Sequence, residues 1–141
     1  MPIKYVKWIT REMVQAEPEA RFVFGDNTVR VGLAGQAKSM RGEPNSIGVA
    51  TKRVGSMHAG AFFSDKSEGD MRTLTNDLKK VEYALEEGRV VYVPFDGLGT
   101  GLSELPQRAP GLYDLLHQFF ITRSEPDDPC PWPPVERLTH C

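Results

Sequence analysis

The stretch "RFVFGDNTVRVGLAGQAKSMRG", Arg21 to Gly42, carries the reading of the fold. It opens on a short apolar run and closes on a helix-like segment, with Gly25, Gly32, Ala34 and Gly35 between them. Glycine in an ordered segment costs conformational entropy. That cost is understandable where something must come close to the backbone. "ARFVFG" (20–25) is short and apolar enough for a central strand. "GQAKSMR" predicts a short helix that Gly42 and "EPN" terminate.

Outward from this stretch the same alternation continues. "IKYVKWI" (3–9), "SIGVATK" (46–52) and "RVVYVPF" (89–95) read as strands. "TREMVQAE" predicts a short helix with Thr10 as its N-cap and Met13 and Val14 facing inward. The clearest helix is "GDMRTLTNDLKKVEYALEEG" (69–88), where Met71, Leu74, Leu78, Val81 and Leu85 form one stripe and Gly88 ends it. "DGLGTGLSELP" is a second glycine loop, and "APGLYDLLHQFF" (109–120) is a helix. Between Arg53 and Glu68 only loop signals occur, with Phe62 and Phe63 expected at the surface, and a connection this long reads as a functional lid. Strands alternating with helices predict an α/β class.

The chain of 141 residues suits one domain with a real core, and 40% hydrophobic with 26% charged residues is ordinary for a globular protein. Residues 1–121 read as the folded domain and 122–141 as a Pro-rich tail, an irregular flap with Trp132 as its anchor. A net charge of −2 excludes the basic footprint of a duplex-binding protein. No apolar run approaches the roughly 20 residues of a membrane helix. "MPIKYVKWIT" lacks the apolar centre of a secretory signal, and the two cysteines, Cys130 and Cys141, give no disulfide framework, so the expected compartment is the cytoplasm. His140, Cys141 and Cys130 do not make a zinc-ligand pattern, so no metal and no cofactor are expected.

Both glycine loops leave the C-terminal ends of apolar strands, which is where open α/β sheets bind ligands. A glycine-rich turn entering a helix presents backbone N–H groups suited to phosphate oxygens. Gly32, Ala34, Gly35 and Gln36 would line one side of such a site, and Gly97, Gly99, Thr100, Gly101, Leu102 and Ser103 the other. Neither loop has the Gly-Lys-Ser/Thr ending of a P-loop or the full dinucleotide fingerprint. Tight turns without a ligand are the plain alternative. Asp26 and Asn27, at the mouth of the first loop, are candidates for ribose hydroxyls or for an Asx-turn. Lys52 ends a strand at the same edge, where it would pair with phosphate, act as a nucleophile on a sugar aldehyde, or simply be solvated. Asp96 and Glu104 bracket the second loop as candidate bases. Phe62 is a candidate for stacking over the cleft.

In this order and spacing, "TVRVGLAGQAKSMRG", "VATKR" and "VPFDGLGTGL" resemble the macrodomain superfamily over roughly residues 3 to 121. They look closest to its terminal ADP-ribose glycohydrolase branch. "FGDN" and "MRGEPN" are also similar to phage and bacterial proteins of unassigned activity. The resemblance implies a three-layer sandwich with a mixed central sheet, binding of ADP-ribose or a related NAD-derived nucleotide, and Lys52 in the place of the attacking lysine. Two departures accompany it. Ser103 stands where that branch has its catalytic aspartate, with Glu104 one residue on, and Ile9 stands where the family has its adenine-reading aspartate. Three functions therefore remain open: a nucleotide-binding module, an ADP-ribosyl hydrolase, and an interaction protein with vestigial loops. The two departures favour the first.

Overall fold

The computed structural model describes residues 3–33, 35–100 and 103–135. Four strands, β1 (Ile3–Val6), β2 (Arg21–Asn27), β3 (Ser46–Lys52) and β4 (Val91–Pro94), form one sheet in the order β1-β4-β2-β3. Five helices accompany them among the described residues: α1 (Arg11–Ala16), α2 (Ala37–Met40), α3 (Glu68–Glu86), α4 (Leu105–Arg108) and α5 (Pro110–Arg123). The class is α/β. Every pairing of the four strands is parallel, so the expected mixed sheet is corrected here. The reason is local: each pair of successive strands is joined through a helix that returns the chain to the starting edge, so the strands run one way.

The strands alternate, and each face has its own core. Val23, Val91, Val93 and Ile3 pack with Leu74, Leu78 and Val81 of α3 and with Tyr113, Leu116 and Phe120 of α5. On the other face Phe22 and Phe24 pack with Val14 of α1 and with Ala37 and Met40 of α2. Each such aromatic or aliphatic side chain contributes about 1.5–3 kcal/mol on burial. Thr10 does cap α1, its hydroxyl accepting from Met13 N at 3.2 Å.

Two expectations for this region are corrected. Met71 is 45% exposed; the position facing inward in the first turn of α3 is Asp70. The Asp70 carboxylate is buried because Arg53 reaches it at 2.7 Å and Ser64 N at 2.9 Å, which satisfies its acceptors. Phe62 and Phe63, expected at the surface, are 3% and 1% exposed. The chain after β3 folds back, so that Phe62 bridges Lys52 in antiparallel fashion and Phe63 enters the core. Of the expected lid, 54–60 is the longest continuous exposed run, and 61–63 are buried.

Both edges of the sheet are blunted by side chains. Asp128 accepts from Tyr5 N at 3.4 Å on β1, and Asp77 of α3 accepts from Ala50 N at 2.8 Å on β3. In the tail, Trp132 is buried against Tyr5 and Phe120 and donates to Pro94 O at 3.1 Å. No helix among the described residues is long and apolar enough to cross a membrane.

Candidate functional site

The site arises from a divergence in the sheet. β2 leads into α2, which packs on one face, whereas its neighbour β4 leads into α4 and α5, whose cores lie on the other. Adjacent strands whose exits part in this way leave a crevice at their C-terminal ends. The β2–β4 ladder stops at the Phe22–Tyr92 pair while β2 continues to Asn27. The second glycine loop enters the resulting gap, with Gly99 N only 3.8 Å from where a Cβ on Gly25 would lie.

A cavity of about 450 Å³ results, and both glycine loops line it. From the first come Asn27, Gly32, Gly35 and Gln36, and from the second Gly97, Gly99 and Ser103. Gly32 and Gly35 hold φ of +108° and +59°, and a Cβ on either would meet nothing within 4 Å. Those two positions therefore place bare backbone against open space. The N–H groups of Leu98 and Gly99 find no acceptor among the described residues.

Charge is distributed unevenly around this space. Lys52 lines it and is 5% exposed. Its Nζ lies 3.3 Å from Met57 Sδ and 4.7 Å from the centre of the Phe62 ring. Arg41 also lines it, donating through Nε to Gly32 O at 2.7 Å and through Nη2 to Asp26 Oδ1 at 2.6 Å. Asp26 is held further by Arg30, 3.5 Å away, and Oδ1 also accepts from Asn27 N at 2.8 Å. Gly48 on β3 is required under this carboxylate, since a Cβ there would collide with it. A bulge between Asp26 and Asn27 re-aims the strand end, and Asn27 pairs with Lys52 across it. Asn27 Nδ2 donates to Val31 O at 2.8 Å, whereas its Oδ1 is buried and has no partner among the described residues. A buried acceptor without a donor is uncommon in folded proteins.

The remaining candidates divide. Gln36 lines the cavity but spends its amide on Ile9, accepting from its N–H at 2.7 Å and donating to its carbonyl at 2.9 Å. Ser103 shares a hydrogen bond of 2.8 Å with Thr51. Asp96 is exposed and does not line the cavity, and Thr100 donates to Asp96 O at 3.0 Å. Glu104 is turned to Arg108, 3.1 Å away, so neither bracketing carboxylate joins Lys52 in the cavity wall. Phe62 is not a stacking surface on the cleft; its ring lies between Lys52 and Arg108, whose Cζ is 4.0 Å from its centre. Ala34, Gly101 and Leu102 lie outside the described residues. Arg41 and Arg30 were not candidates from sequence. The signal for them was Asp26 itself, since a carboxylate inside an apolar strand needs a cationic partner.

No group of three or more His, Cys, Asp or Glu side chains stands close enough to hold a metal ion among the described residues. Away from the cavity, burial pushes the Cys130 thiol up, which disfavours its reactive thiolate, and burial pushes Tyr113 up to about 12.

No curated protein and no solved structure matches the chain. A family model does, over residues 4–119, which includes all four strands almost entirely, both glycine loops, Lys52, Arg41 and Asp26. The chain belongs to that family, described as "Family of unknown function (DUF7831)".

Proposed function

We propose that the chain binds ADP-ribose or a related NAD-derived nucleotide in this cavity, recognising or sequestering it without turning it over. The observation that carries the reading is convergence: both glycine loops, Lys52 and Arg41 meet at one space of about 450 Å³. That volume falls within the roughly 300–1,000 Å³ typical of small-molecule sites. Two cationic side chains and bare backbone suit a diphosphate. Helices on both faces of the sheet are compatible with the three-layer, macrodomain-like sandwich that the sequence resembles.

Binding is favoured over turnover by the state of the carboxylates. A lysine adduct needs a base to resolve it. Asp26 is engaged by Arg41, Glu104 by Arg108, and Asp96 stands outside the cavity wall. Ser103, at the position of the glycohydrolases' aspartate, is bonded to Thr51.

A thermal-shift panel of ADP-ribose, NAD, cyclic ADP-ribose isomers and ordinary nucleotides tests the reading. A true ligand at a hundred times its dissociation constant adds about 2.7 kcal/mol of apparent stability. ADP-ribose or NAD should shift the transition, and ordinary nucleotides should not. If none of the panel shifts it, the loops are vestigial and the chain is an interaction protein. Release of ADP-ribose from a modified protein or DNA, lost in Lys52→Ala, would make it a hydrolase instead.

A further inference from the structure

The first glycine loop contains a residue that its backbone should disfavour. Arg30 sits at φ +58°, a left-handed conformation that side chains with a Cβ adopt at a penalty. Its neighbours Val29, Val31 and Leu33 are all more than half exposed, so burial of apolar surface does not hold the loop in place. What does is ionic. Arg30 Nη2 lies 2.9 Å and 2.8 Å from the two oxygens of Asp77 on α3, and Arg30 Nη1 lies 3.5 Å from Asp26 on β2. Nη1 also approaches Gly48 O at 3.4 Å. Asp77 is 1% exposed and Asp26 7%, so both carboxylates are fixed points in the body of the domain. Arg41 holds the far side of the same loop through Gly32 O.

We propose that Arg30 is a positioning residue: by bridging Asp26 and Asp77 it holds the first glycine loop open, so that the cavity is formed before any ligand arrives. Arg30 is not among the residues that line the cavity. Strain of this kind persists only where surrounding contacts over-determine it, and the two carboxylates are the charged ones among those contacts. The effect on binding follows from population: affinity falls in proportion to the fraction of molecules whose loop is in place.

The test uses opposed expectations for one substitution. Arg30→Gly relieves the left-handed backbone, so if the side chain were incidental it would leave the loop unchanged or firmer. If Arg30 holds the loop, the same change loosens it. Thermolysin, which cleaves before exposed Val and Leu, reports on Val29, Val31 and Leu33 in the free protein. We expect Arg30→Gly to raise cleavage within 28–36 at least ten-fold, with the melting transition still cooperative. Lys80→Ala, which removes the other cation at Asp77 without touching the loop, should leave cleavage within two-fold of wild type, and Arg30→Lys should restore part of the protection. Cleavage of Arg30→Gly at the wild-type rate would overturn the proposal. Calorimetry with ADP-ribose supplies a second arm that rests on the proposed function, where Arg30→Gly should weaken binding about ten-fold, the loop-competent fraction having fallen to about a tenth. Failure of wild type to bind ADP-ribose counts against that function alone, since the cleavage arm decides the role of Arg30 without a ligand.

Discussion

A methyl group added to Gly32 or Gly35 in the first glycine loop would meet nothing within 4 Å, whereas one added to Gly99 in the second would lie 3.0 Å from Thr51 Cβ and 3.0 Å from Leu105 Cβ. The two loops share a composition and exit the sheet side by side, yet their glycines answer different demands. In the second loop, glycine lets the chain pass between β3 and α4, and Leu105 N then donates to Gly99 O at 2.8 Å. In the first, glycine permits positive φ on a loop whose inner side faces the cavity. One loop is part of the core, and the other is a frame tied to the core by Arg30 and Arg41. A glycine-rich loop after a strand is therefore not by itself a ligand signal. The direction in which the missing Cβ would point separates the two cases.

The strongest way to break this distinction is Gly99→Ala. It adds a roughly 1–2 kcal/mol penalty for the left-handed backbone to roughly 1–3 kcal/mol for overpacking. A loss of about 3 kcal/mol in urea unfolding is therefore expected. A loss below 1 kcal/mol would mean that the second loop is not packed as described. Next comes Lys52→Ala, which should weaken ADP-ribose binding by about 1.5–3 kcal/mol, roughly 10- to 150-fold, through loss of a charge-assisted contact. Equal affinities in a titration would take Lys52 out of the site. Gly35→Ala should lower stability by only about 1–2 kcal/mol, because φ is positive but no atom is in the way. If it proves as damaging as Gly99→Ala in the same denaturation series, the contrast between the loops fails. The smallest effect on stability is expected for Asn27→Ala, about 0.5–1.5 kcal/mol for the hydrogen bond to Val31 O.

Much of the frame was legible. Thr10 as a cap, the strand 46–52 and the end of the long helix at Gly88 follow from local chemistry, because caps, turns and alternation act over a few residues. The stripe of α3 was legible from Leu74 to Leu85 and failed at its first turn. There the inward position is taken by Asp70, an acid that sequence patterning places outside unless its partner Arg53 is known. α4 was hidden because Leu105–Arg108 is a single turn with proline at its start, too short to show a period. The burial of Phe62 and Phe63 is not legible in the sequence, because nothing local reveals that the chain turns back onto β3.

By itself, the sequence determined the alternation of strands and helices, the two glycine loops at strand ends, and Lys52 at the same edge. These are properties of neighbouring residues, where propensity and periodicity decide. Only the tertiary structure decided that the sheet is wholly parallel, that Arg30 and Arg41 converge on the buried carboxylate of Asp26, and that Asp96 and Glu104 fall outside the cavity wall. Arg41 is fifteen residues from Asp26, and Arg30 is forty-seven from Asp77. Contacts over such separations depend on which strands lie side by side and on where each exit leads, and a buried charge takes whichever partner the packing brings within reach.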